Sequence, residues 1–277
     1  MDVKSIKEKL QWILRRHPLL YYTRFALISE NHKGDPSSLP AFNDINKKED
    51  VHPLFFEANK QIAIQPEMDA FEKAKAITAF LQERHVYRGT GLGFSSDKTL
   101  GIILEREGGV CSDHSQVFNI FCLINDISVR EWGIVDKFYN PSYGHTFNEI
   151  YSAKLNKWIV IDVWMGVYFT SPEGGPPFSA IELFRYLRKG NGLHFIRFFE
   201  NDTDISRVSK IYSKEALPFL ITNYNNKVYD HYLNKYQDRF SAFAINALLI
   251  FRGKNYKFLF VIDNYKTGLL PFMKKHD

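Results

Sequence analysis

The strictest demand in this chain comes from residues 111–124, CSDHSQVFNIFCLI. If they are helical, Val117, Phe118, Ile120, Phe121, Cys122 and Ile124 occupy positions around much of the cylinder. Such a helix is buried on several sides, not docked by one stripe, so the chain has to supply layers around it. Gly108 and Gly109 stand just before it and deliver Cys111 to its first turn.

The surrounding segments can provide those layers. PEMDAFEKAKAITAFLQERH, from Pro66, opens with Pro and acidic residues and sets Phe71, Ala74, Thr78 and Leu81 at helical spacing. After the glycine-rich GTGLGFSSD loop, Asp97–Glu107 reads as a short helix capped by Ser96 or Asp97. Beyond an Asn125-Asp126 turn the pattern changes to strands: ISVREWGIV (127–135), HTFNEIY (145–151) and KWIVIDVW (157–164). SAKLN (152–156) joins the last two as a hairpin loop. Helices followed by an antiparallel sheet make an α+β fold.

The ends read differently. Residues 3–14 place Val3, Ile6, Leu10, Ile13 and Leu14 on one helical stripe with basic residues around it, and Pro18 ends or interrupts that helix. Docking on its own domain is the plainer role for Val3–Leu14; contact with a membrane surface or a protein is the alternative. Residues 31–53 read as an irregular loop, and FSAIELFRYLRKG (178–190) as a helix with a glycine stop. Further on, NDTD, TNYNN and RGKNYK interrupt aromatic segments of mixed period. The expected organisation is an N-terminal extension (1–60), a core (61–170) and a C-terminal extension (171–277).

With 277 residues, 24 Phe and 15 Tyr, the chain can bury a substantial core. Its net charge is +5, and residues 1–24 alone hold six basic against two acidic side chains. The remainder is nearly neutral, which argues against a broad nucleic-acid face. The longest apolar run, Phe240 to Phe251, contains Ser241 and Asn246 and is shorter than the roughly 18–20 residues of a membrane span. No secretory leader pattern follows Met1, so a cytoplasmic location is expected. On one helix Cys111 and Cys122 would lie about 16 Å apart, too far for a disulfide, so both are expected as thiols. No CxxC or HExxH pair is present, and no metal or cofactor is expected.

Thiol chemistry needs a thiolate, and a helix N-terminus favours the anion. Cys111 has that setting; Cys122, three turns on, reads as a core residue. A base and a group to orient it complete the set. His145 opens a strand after the NPSYG turn, and Asp162 lies on the adjacent strand as a cross-strand neighbour. His114, one turn from Cys111, is a rival base without an evident orienter, since Asp113 points elsewhere.

Together GGVCSDHSQVF, the arginine of DISVREWGIV, GHTFNEIY and KWIVIDVW resemble the core of the transglutaminase-like superfamily, which shares the papain-like cysteine-protease architecture. The resemblance covers roughly residues 68–165. It implies a central Cys-bearing helix packed on an antiparallel sheet, with Cys111 as nucleophile, His145 as base and Asp162 as orienter. Asp126 stands where that family often has glycine before the arginine strand, which alters the turn. The implied chemistry is acyl transfer through a cysteine thioester on a peptide or small amide. Hydrolysis of peptidase or amidase type is expected; protein-glutamine or small-amine acyl transfer, or a non-catalytic binding module, are the alternatives. The Cys111 N–H is one oxyanion donor, with Tyr87 or Gln116 as side-chain candidates. Glu149 is either a carboxylate supporting the site or a solvated strand residue, the second being favoured.

Overall fold

Two glycines with positive φ, Gly108 (140°) and Gly109 (142°), turn the chain into the buried helix. A Cβ on Gly109 would also lie 3.2 Å from the His114 ring, so this bend requires glycine on both counts. The computed structural model describes residues 17–86, 93–140, 143–199 and 205–273. Val3–Leu14, Tyr87, and Pro141 and Ser142 of the NPSYG turn lie outside the described residues.

The helices are α1 (Pro18–Ile28), α2 (Pro53–Asn59), α3 (Ala70–Gln82), α4 (Ser96–Leu104), α5 (Cys111–Ile124), α6 (Ala180–Arg188), α7 (Ile205–Ile211), α8 (Asn226–Tyr236), α9 (Ala242–Phe251) and α10 (Tyr265–Met273). The strands are β1 (Ser29–Asn31), β2 (Val129–Val135), β3 (His145–Ser152), β4 (Lys157–Ile161), β5 (Val167–Phe169), β6 (Phe195–Arg197), β7 (Leu217–Thr222) and β8 (Lys257–Phe260). Six strands form one sheet in the order β1-β8-β7-β2-β3-β4, and β5 and β6 form a separate ribbon. The molecule is α+β. The sheet is antiparallel except at β1, which runs parallel to β8, so the expected antiparallel sheet is extended into a mixed one.

Several boundaries follow from local hydrogen bonding. Pro18 opens α1, where its missing N–H costs nothing. The helix expected from Pro66 starts at Ala70, because Asp69 Oδ1 accepts from the Phe71 and Glu72 N–H groups while Glu72 answers to the Asp69 N–H. Ser179 and Glu182 cap α6 in the same way. The caps expected for α4 shift by one or two positions, with Ser95 preceding its first residue. Asp126 has φ 60°, which explains why glycine suits that turn.

Helix α5 lies on β2 and β3 and is covered by α2, α3 and α4. Phe55, Ile77, Leu81, Phe118, Phe121 and Ile150 meet in the core between them. Burying each such side chain stabilises the fold by about 1.5–3 kcal/mol. The other face of the sheet packs Trp132, Phe147, Phe169, Phe184 and Tyr212, drawing on α6 and on the stretch after α7. A polar chain crosses the first layer: Asn148 Nδ2 donates to the Ser115 carbonyl (3.1 Å) and to Asn119 Oδ1 (2.8 Å), and Asn119 Nδ2 donates to Glu131 Oε2 (2.7 Å). This chain fixes α5 in register on the sheet, since a slip would strand buried amides.

Gly133, in the middle of β2, pairs with Phe219 of β7, whose ring covers it. A Cβ there would sit 2.3 Å from the ring, and Phe219 is itself packed among Phe25, Phe258 and Phe260. Gly133→Ala is expected to cost about 1–3 kcal/mol by overpacking and to lower Tm, with partial recovery in Gly133→Ala/Phe219→Leu. Thermal unfolding checks this; an unchanged Tm in the single variant contradicts the packing described.

Candidate active site

Cys111 is the first residue of α5 and is only partly buried. The first N–H groups of a helix have no intrahelical partner, so those at Cys111 and Ser112 are available beside the sulfur. Asp113 turns back to accept the Val110 N–H (2.8 Å), away from the thiol. Cys122 is fully buried, and burial pushes its thiol well above the ordinary range.

His145, the first residue of β3, brings its ring to Cys111 and Asp162 together. Its Nε2 lies 2.6 Å from Asp162 Oδ2, and Cys111 is near enough to bear on the charge of the ring. With Nε2 committed to the carboxylate, Nδ1 is the nitrogen left for the sulfur. Burial works against charge on this imidazole, but the Asp162 carboxylate and the thiol outweigh it, and the pKa is raised to about 10. The imidazole therefore holds its proton at neutral pH.

Asp162 lies one residue beyond β4 and bridges to Val167. Continuing the β3–β4 register, in which Asn148 faces Ile161, puts it opposite Phe147, so it reaches His145 on the diagonal and not from directly across. The carboxylate is completely buried and fully engaged. Besides His145 it accepts from Tyr212 Oη (2.7 Å, Oδ2) and from the Met165 N–H (2.9 Å, Oδ1). Gln82 Nε2 supports the same loop by donating to the Val163 and Trp164 carbonyls.

Tyr212 is the residue of this site that sequence reasoning missed. It follows α7, fifty residues beyond Asp162, and its ring meets Phe169 at 4.4 Å and His145 at 6.0 Å. No motif spacing marks it; the only hint is an aromatic in a chain segment whose period is mixed.

The other candidates fall elsewhere. His114 is fully buried, and its ring packs against His85 and Trp164. Burial, with His85 beside it, lowers its pKa to about 3, so it is neutral and turned into an aromatic cluster despite its nearness in sequence to Cys111. Gln116 lines the cleft beside Cys111, but its Nε2 donates to the Tyr224 hydroxyl. Glu149 corrects the solvated reading: it is 1 % exposed and bound to Trp132 Nε1 (3.1 Å), the Ala180 N–H (2.7 Å) and Arg130 (3.7 Å). It anchors α6 to the sheet and touches none of Cys111, His145 or Asp162 by hydrogen bond. Arg130 itself is buried, stacked over Trp158 at 3.7 Å and bonded to the Leu39 and Pro40 carbonyls, so it ties the 39–40 loop to β2. Among the described residues no group of three or more His, Cys, Asp or Glu side chains is placed to hold a metal ion, and no helix is long and apolar enough to cross a membrane.

A thiol at a helix start, a histidine at a strand start and a buried aspartate on the next turn define a papain-like arrangement on an α+β frame. The family model described as the transglutaminase-like superfamily matches residues 58–163, in agreement with the resemblance drawn from the sequence. The superfamily is broadly one of cysteine-dependent enzymes. Neither the curated proteins nor the solved structures gave a match.

Removing the Asp162 charge leaves burial as the dominant influence on His145. In Asp162→Asn the imidazole is expected to be neutral at pH 7, whereas in the parent protein it stays protonated there. Side-chain nitrogen NMR shifts of His145 report both states; a neutral ring in the parent protein at pH 7 contradicts the electrostatics described.

Proposed function

We propose that the protein is a thiol-dependent acyl-transfer enzyme that works through a thioester on Cys111, with hydrolysis as the default outcome. The observation that carries this reading is the disposition of His145: one nitrogen on Asp162 at 2.6 Å, the other left for a partly exposed sulfur at a helix start. A protonated imidazole facing sulfur is the arrangement in which the sulfur gives up its proton.

In this mechanism Cys111 Sγ attacks the carbonyl carbon of an amide or ester. The C–O π pair moves onto oxygen, where the Cys111 N–H and neighbouring helix-start amides meet the developing charge. The tetrahedral species collapses with cleavage of the C–N or C–O bond, and His145 gives its proton to the leaving group. Water, or an amine, then adds to the thioester carbonyl, returns a proton to His145 and releases Sγ. Asp162 keeps the ring in place and stabilises its charge throughout. Tyr212 and the Met165 N–H hold Asp162 in turn, so they act as positioning groups.

Turnover of p-nitrophenyl esters and of matched anilides, with and without added primary amines, tests the reading. Cys111→Ala is expected to abolish turnover, His145→Ala nearly so, and Asp162→Asn to lower kcat by about 10³–10⁴ while leaving residual activity. Product analysis separates acid from amide and so hydrolysis from aminolysis. Parent-like rates in Cys111→Ala reject the mechanism.

A proteomic-grade alkylation comparison is independent of substrate choice. Iodoacetamide at neutral pH is expected to label Cys111 much faster than the buried Cys122. Equal, slow labelling of both contradicts the nucleophile assignment.

A further inference from the structure

The cleft that meets Cys111 and His145 does not end there. It continues as one cavity of about 870 Å³ along α5, over β2, β7 and β8, and between α1 and α9. Its lining is dominated by aromatic and aliphatic side chains, among them Phe219, Tyr256 and Phe258 from the sheet side and Phe243 and Ile250 from α9. Leu27, Phe94 and Phe251 also line it and remain solvent-exposed. An apolar cavity with few placed polar groups is the usual form of a small-molecule site.

One carboxyl group interrupts that surface. Glu131 lines the cavity from β2, and among the described residues its only side-chain hydrogen bond is the one from Asn119, which uses a single oxygen. It has no ion-pair partner there either. A carboxylate held in apolar surroundings without a cation is costly unless a ligand supplies one. Burial raises the group to about 7, against the Asn119 hydrogen bond that favours its charge, so it is largely ionised above neutral pH. Asn119 is eight residues beyond Cys111 on α5, about 12 Å along the helix axis, and Glu131 is held at that level by its bond from Asn119.

We infer that this cavity is the substrate pocket and that Glu131 binds a protonated amine at the far end of an apolar arm, about 10–12 Å from the scissile carbonyl. The substrate class is thus an amide or ester whose apolar portion, aromatic or long aliphatic, carries a cationic group. The inference rests on the reading of Cys111 and His145 as the reacting pair, which decides which end of the cavity meets the bond to be cleaved. Arg24 also lines the cavity, with its guanidinium 5.5 Å from the centre of the Tyr21 ring, and it would favour the opposite charge.

Calorimetric titration of the full-length Cys111→Ala protein at pH 8 tests this without any thiol chemistry. The probes are 4-phenylbutylamine, 4-phenylbutanol and 4-phenylbutyrate, which share one apolar arm. The amine is expected to bind at least tenfold more tightly than the alcohol, and the butyrate least. Adding Glu131→Gln, which keeps an acceptor for Asn119, is expected to bring amine and alcohol within threefold of each other. Adding Ala247→Trp, which fills the cavity from α9, is expected to weaken the amine and the alcohol alike. No binding of the amine, equal binding of amine and alcohol, or an amine preference that survives Glu131→Gln overturns the assignment. Tightest binding of the butyrate overturns it in favour of Arg24. Because the protein titrated lacks the thiol, these results stand apart from the alkylation and turnover results on which the nucleophile reading depends.

Discussion

The site depends on one buried carboxylate. Asp162 is wholly removed from water, and a charge in that position is tolerated only when its oxygens are met by donors. The fold supplies them from three places: His145 at the start of β3, the Met165 N–H on the following turn, and Tyr212 from far along the chain. Each contact constrains a different element. The His145 contact fixes the ring that faces Cys111; the Met165 contact closes the turn after β4; the Tyr212 contact ties the stretch after α7 to the sheet. The two faces of the sheet divide the remaining work, with α5 and its amide chain on one side and the aromatic cluster of Trp132, Phe147 and Tyr212 on the other.

Much of this was legible in the sequence because it rests on local rules. The glycine pair, the all-round apolar pattern of residues 111–124 and the alternation in 145–151 are short-range signals, and each reports a backbone conformation or a burial pattern directly. Cys111, His145 and Asp162 could be picked out because helix start and strand start are readable positions. The exact relation of His145 to Asp162 was not readable, because the register that makes them diagonal neighbours depends on where β4 ends.

What was hidden is long-range. Strands β7 and β8, LPFLIT and KFLF, are covered on both faces, with Phe219, Phe258 and Phe260 in one cluster and Leu220 and Leu259 in another, so they lack the alternation of a half-exposed strand, and Pro218 masks β7 further. Strand β1 is three residues long and joins the sheet only through β8. Tyr212 has no spacing to announce it. Glu149 was misread because strand periodicity reports which face a residue occupies, and here both faces are covered. Glu131 shares that strand logic: alternation says only that it and Trp132 take opposite faces, whereas the cavity beside it is built by α1, α8 and α9 from both ends of the chain.

The proposed chemistry passes through an acyl group carried on Cys111. Brief incubation with a p-nitrophenyl ester, acid quench and peptide mapping by mass spectrometry tests it most directly. An acyl adduct is expected on the peptide containing Cys111, labile to hydroxylamine and absent from Cys111→Ala. Turnover of the ester with no adduct at Cys111, or an adduct that persists in Cys111→Ala, would contradict it.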